Sequence, residues 1–130
     1  MKIIVDTSIW IEYFKKKAEI VAFIDRELLA GTTYMVGPVV SELLQGVKTE
    51  KELDSLLNCI DAVPFIESNI ADWRLAGSIS FRLRKDGLTI PLTDLLIAAV
   101  SINNGAYVYS PDHHFILIPD VLLYKPSESN

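Results

Sequence analysis

The sequence predicts an α/β protein in three layers, a parallel β-sheet flanked by helices on both faces. Three observations carry that prediction. Short β-branched runs alternate with longer stretches of helical periodicity. The segments between successive runs are long enough for the crossovers that parallel strands require. Acids stand at or just beyond the ends of two runs, where open α/β sheets bind ligands.

Lys2-Ile3-Ile4-Val5 reads as a buried strand, and Asp6-Thr7-Ser8 after it is a helix N-cap cluster. Ile9-Trp10-Ile11 and Tyr13-Phe14 carry the first helix, which frays into Lys15-Lys16-Lys17. A second helix runs through Val21, Phe23, Ile24, Leu28 and Leu29 and ends near Gly31. Thr33-Tyr34-Met35-Val36 is the second strand, closed by Gly37-Pro38. Proline in the first turn suits a helix from about Pro38 to Val47. The next helix spans Glu50 to about Ile60, with Leu53, Leu56, Leu57 and Ile60 at helical spacing. Ala62-Val63-Pro64-Phe65 is a weak strand whose proline points to an edge or a strand end. Ser68 is the expected cap of a long helix that reaches about Lys85 and stops at Asp86-Gly87. Leu75, Ile79 and Leu83 line one face of that helix, and Trp73 and Phe81 add bulk. Pro91 opens the helix from Leu92 to Asn103, and Asn104-Gly105 ends it. Ala106–Tyr109 and Leu122–Tyr124 are the last two strands.

The 130 residues fit one domain, expected over residues 1–125, with 50% hydrophobic and 22% charged residues in an ordinary globular balance. The tail Pro126–Asn130 has nothing apolar to bury and is expected to be disordered. Cys59 has no cysteine partner and reads as a small core residue. The apolar run at the N-terminus is stopped by Asp6, unlike a signal peptide, and no apolar stretch approaches the roughly 20 residues that span a bilayer. A cytoplasmic protein without membrane contact is expected. The net charge of −5 argues against a protein that coats nucleic acid through nonspecific phosphate contacts. It does not argue against an enzyme that meets phosphate through bound cations.

Four acids stand out by context. Asp6 ends an apolar strand and begins a helix, where it also fits as an N-cap. Asp94 lies early in Leu92–Val100, a helix apolar nearly all round. It shares a face with Ala98 and Ser101, and a charge on so buried a helix needs a partner. A first-turn acid favoured by the helix dipole is the ordinary alternative. Glu42 lies at the edge of the Val40, Leu43, Leu44, Val47 stripe, with Gly46 one turn on; a solvated flank residue is the alternative. Asp112, beyond the Tyr107–Tyr109 strand, also fits a turn or the cap of a short helix. Carboxylates gathered within a few Å repel one another unless a cation is present, and hard divalent ions with oxygen ligands resolve the conflict.

With these residues in hand, the chain resembles the PIN-domain ribonucleases, in particular the VapC-type toxins of toxin–antitoxin pairs. The matching segments are Val5-Asp6-Thr7-Ser8, Ser41-Glu42-Leu43, Leu92-Thr93-Asp94-Leu95-Leu96-Ile97-Ala98-Ala99 and Ser110-Pro111-Asp112-His113-His114-Phe115. They fall in the family's order and cover essentially the whole chain. The resemblance implies Mg²⁺- or Mn²⁺-dependent hydrolysis of RNA by an activated water, leaving 5′-phosphate and 3′-hydroxyl ends. It implies that Asp6, Glu42, Asp94 and Asp112 are catalytic and hold the metal, and that Ser8 and Ser110 supply supporting hydroxyls. Ser110 stands where threonine is more usual, and His114 where many members carry a further acid. A homodimer and a cognate antitoxin whose tail blocks the site are implied as well.

Other residues read more plainly. His113 and His114 lack the cysteine or third histidine that a zinc site needs, so exposed turn histidines are expected. Arg82, Arg84 and Lys85 fit either an RNA phosphate contact or a solvated helix end. Lys15–Lys17 fits a solvated helix end, and Trp10 and Trp73 fit packing positions. Two rival hydrolase and signalling readings fail on residues. A haloacid-dehalogenase-type enzyme wants an aspartate where Ser8 stands, and a response-regulator receiver needs a paired acid near Asp6, a phospho-accepting aspartate after the central strand and a late lysine, a set the sequence does not offer. A glycine-rich phosphate loop is also missing. A PIN nuclease that processes RNA without being a toxin, and a catalytically silent domain of the same fold, remain alternatives.

Overall fold

The computed structural model describes residues 1–126. The expected disordered tail lies, from Ser127 on, outside the described residues. Five strands form one parallel sheet: β1 (Ile3–Val5), β2 (Thr33–Val36), β3 (Phe65–Ile66), β4 (Tyr107–Tyr109) and β5 (Leu122–Leu123). Their order across the sheet is β3-β2-β1-β4-β5. The helices are α1 (Thr7–Phe14), α2 (Ala18–Ala30), α3 (Gly37–Gln45), α4 (Glu50–Asp61), α5 (Ile70–Lys85), α6 (Leu92–Asn104) and the short α7 (His114–Leu117).

Successive residues of a strand point to opposite faces, yet Ile3, Ile4 and Val5 are all fully buried. Both faces of β1 are therefore covered, as expected of a central strand in a parallel sheet. The chain steps from β1 to β2 to β3 in one direction and then returns to β4 on the far side of β1. With this strand order, the right-handed rule for parallel crossovers assigns α1–α4 to one face and α5–α7 to the other. The layer behind is dominated by α6, whose residues Asp94 to Ser101 are all buried. α5 packs along it.

Local chemistry explains most boundaries. α2 and α6 end at Gly31 and Gly105, both left-handed with φ of 73° and 62°. α5 is capped by Asn69 rather than Ser68: the Asn69 side chain accepts from the Asp72 amide, and the Asp72 carboxylate accepts from the Asn69 amide. This capping box decides between two adjacent cap-forming residues. β3 begins after Pro64, whose carbonyl accepts from the Met35 amide.

Several expected core positions lie outside. The buried face of α5 runs through Asp72, Ala76, Ile79 and Leu83, which turns Trp73 (50% exposed) and Phe81 (60% exposed) outward. Cys59 is exposed, because α4 buries Ile60 beside it. Trp10 is buried as expected. Asp72 is a buried acid of structural character, for its second oxygen accepts from Asn103 Nδ2 at 2.8 Å and ties α5 to α6.

Candidate active site

β1 and β4 are neighbours whose onward connections leave in opposite senses, so a crevice opens beyond their carboxyl ends. Asp6 follows β1 directly and its amide donates to the Tyr109 carbonyl of β4. The backbone of Asp6 is extended and its Oδ1 accepts from the Thr7 amide at 2.8 Å, capping α1. Its other oxygen accepts a 2.6 Å hydrogen bond from the Ser110 hydroxyl. Asp6 is thus cap and site acid at once, and the cap holds its carboxylate in place.

Ser110 also accepts from the Asp112 amide at 3.0 Å, which fixes the turn after β4. Asp112 Oδ1 in turn accepts from the His114 amide at 2.9 Å and starts α7. Asp94, the third residue of α6, is buried at the same end of the sheet. Glu42 comes from α3, where Thr7 donates its hydroxyl to Oε1 at 3.1 Å. Glu42 also borders two open grooves. One, of about 650 Å³, runs along Ile11, Phe14, Leu43 and Leu56; the other, of about 520 Å³, runs past Pro38, Trp73 and Leu92.

All four acids share one electrostatic neighbourhood. Burial pushes the Asp6 carboxyl above its usual range, opposed by the Ser110 and Thr7 hydrogen bonds and reinforced by the charges of Asp94 and Asp112. Glu42 is raised by burial as well, with Thr7 opposing and Asp6 and Asp94 reinforcing. Among the described residues no lysine or arginine ion-pairs with any of the four. The basic group that does meet them is His114, whose Nδ1 lies 2.7 Å from Asp94 Oδ2 and 3.2 Å from Asp112 Oδ1. The hydrogen bond to Asp94 leads in raising the imidazole's pKa; partial burial opposes it.

Oxygen atoms of Asp94 and Asp112 and a ring nitrogen of His114 all lie within 4.8 Å of one another, a donor set that fits a metal ion. His114 thus contacts two of the four acids, where an exposed turn histidine was expected. A 20-residue separation from Asp94 hid that contact, although the departure from the family pattern at this position marked it. Thr7 was missed too: it is the hydroxyl that meets Glu42, whereas Ser8 is exposed with no side-chain hydrogen bond among the described residues. Arg82 and Arg84 are exposed in the last turn of α5 and bond to none of the acids.

The sequence profile of the PIN domain matches residues 3–120. The chain belongs to the PIN-domain family. Ribonuclease VapC11 of Mycobacterium tuberculosis is 33% identical to it over 121 residues, covering 89% of this chain and 90% of that protein. Among solved structures, VapBC2 from Rickettsia felis bound to a promoter DNA fragment superposes with a TM-score of 0.84 at 22% identity, covering 95% of this PIN domain and 98% of that chain. A toxin–antitoxin complex from Klebsiella pneumoniae superposes with a TM-score of 0.67 at 19% identity, covering 96% and 100%. At these identities the structural likeness is one of fold.

Proposed function

We propose that this PIN domain is a divalent-cation-dependent endoribonuclease and the toxin of a toxin–antitoxin pair. The observation that carries the reading is the convergence of Asp6, Glu42, Asp94 and Asp112, from four separate parts of the chain, with no lysine or arginine among the described residues to balance them. Kinship with a VapC ribonuclease over nearly the whole chain supplies the substrate class.

Asp6, Asp94 and Asp112 would hold the cation, Mg²⁺ or Mn²⁺, with Glu42 reaching it directly or through water. When bound, the ion supplies Lewis-acid chemistry, making water more acidic and offsetting charge on the scissile phosphate. Ser110 keeps Asp6 oriented through the 2.6 Å bond and holds the Asp112 turn. Thr7 positions Glu42 beside the other acids through its hydroxyl. Ser8, Arg82 and Arg84 are exposed and would be open to RNA phosphates. The groove beside Glu42 offers an apolar path for the tail of an antitoxin. A cytoplasmic homodimer built from one such domain per chain completes the reading.

No helix among the described residues is long and apolar enough to cross a membrane. The test is cleavage of structured tRNA and rRNA by purified protein with Mg²⁺ or Mn²⁺. Cutting that stops on chelation and returns with the ion is the expected result. No cutting of any RNA, together with no binding of either ion, would overturn the proposal. Co-purification with the product of a small adjacent gene bearing a DNA-binding pattern separates a toxin from a processing enzyme.

A further inference from the structure

We propose that the cation site is a mixed carboxylate–imidazole site, with His114 Nδ1 a ligand beside Asp94 and Asp112, and that it takes Mn²⁺ in preference to Mg²⁺. The inference rests on the cation-dependent reading above and assigns a selectivity that four carboxylates alone would not have.

The geometry carries it. Nδ1 lies 2.7 Å from an Asp94 oxygen and 3.2 Å from an Asp112 oxygen, and these two acids come from α6 and from the turn before α7. A single N–H on Nδ1 can aim at one of those oxygens, not both. A cation among the three can bond to all of them. Ligands held at about 2.0–2.1 Å in octahedral geometry and at right angles to each other lie about 3 Å apart. The two observed separations bracket that value. The imidazole is 36% exposed, so water can accept from Nε2–H in the tautomer that leaves the Nδ1 lone pair free. The Asp112 carboxylate fixes the His114 backbone through the 2.9 Å bond to its amide, so the ring has a built position.

The selectivity follows from ligand chemistry. Mg²⁺ binds oxygen and keeps its waters, whereas imidazole suits first-row transition ions, among which Mn²⁺ also accepts carboxylates readily. Replacing one oxygen ligand by nitrogen thus costs Mg²⁺ more than Mn²⁺.

The experiment is a pair of calorimetric titrations, MnCl₂ and MgCl₂ separately into metal-free protein, joined to pulsed EPR of the Mn²⁺ complex. The wild type is expected to show nitrogen coupling to Mn²⁺ that changes when its histidines carry nitrogen-15. His114→Asp is expected to lose that coupling and to lower the ratio of Mn²⁺ to Mg²⁺ affinity by about tenfold or more. Mn²⁺ bound by the wild type without histidine coupling overturns the inference and leaves the ribonuclease reading standing. Failure of the wild type to bind either ion overturns both. The EPR measurement needs no variant, so it tests the ligand assignment even where His114→Asp folds poorly.

Discussion

Asp6 carries two jobs, and two substitutions separate them. Asp6→Asn keeps an oxygen to accept from the Thr7 amide, and its new amide group can donate to Ser110, whose oxygen has a lone pair beyond the one used by Asp112. Asp6→Ala keeps neither bond. Loss of the cap costs about 1 kcal/mol, and leaving the Ser110 hydroxyl without its acceptor about 1 kcal/mol more. The alanine variant should therefore be about 2 kcal/mol less stable than the asparagine variant, or roughly 8 °C lower in Tm for a chain of this size. Both should lose RNA cleavage, by about 10²-fold or more.

The comparison with wild type has a sign of its own. Without metal, the Asp6 carboxyl is raised above the ordinary 3.8, chiefly by burial. Its contribution to stability is then full below that value and is lost as pH rises through the folded pKa. In chelator-treated protein, Asp6→Asn should match or exceed wild type at neutral pH and gain on it as pH rises from acid. Thermal denaturation at a series of pH values, with RNA cleavage in parallel, makes the measurement. An asparagine variant as unstable as the alanine variant would refute the assignment of cap and charge to separate effects.

Further outcomes follow from single contacts. Thr7→Val frees Glu42 from its 3.1 Å hydrogen bond and should lower cleavage about 10–100-fold with the fold kept, while Thr7→Ser restores it; equal activity in both variants would count against a positioning role. Asp72→Ala breaks the capping box and strands the Asn103 amide, so denaturant titration should show a loss of about 2–3 kcal/mol with the cleavage of the folded protein unchanged. Tyr13 donates to Asp25 at 2.6 Å, and that bond leads in pushing its phenol up to about 12. Any stability it adds over Tyr13→Phe should hold below pH 10 and vanish as pH rises through about 12, and the tyrosinate absorbance difference between the two proteins should titrate there and not near 10.

Much of the architecture was legible because the local signals agreed. Ile3-Ile4-Val5 is β-branched throughout and is followed by a capping acid, and Gly31 and Gly105 mark helix ends that only a left-handed residue closes well. Asp6, Asp94 and Asp112 stood out as candidates because each lies at a strand end or early on a helix, whereas Glu42, the sixth residue of α3, rested on the family resemblance. The misses have a common physical form. Trp73 and Phe81 flank the true buried stripe of α5, and hydrophobicity alone does not say which side of a helix turns inward when Asp72 and Ala76 occupy the core face. Cys59 failed for the same reason on α4. His114 and Thr7 reach the site through contacts across 20 and 35 residues, and no local pattern encodes those.

The hydrogen bond between Asp6 and Ser110 joins residues 104 apart in the chain. Contacts of that span form only after most of the polypeptide is available to close the loop. A growing chain that has emerged through α6 would hold Asp6, Glu42 and Asp94 but neither the Ser110 hydroxyl nor Asp112. The acids therefore come together only when β4 and the turn after it dock against β1. The order of elements along the chain thus sets an order of assembly: two groups of the site wait on a docking step that most of the fold must precede.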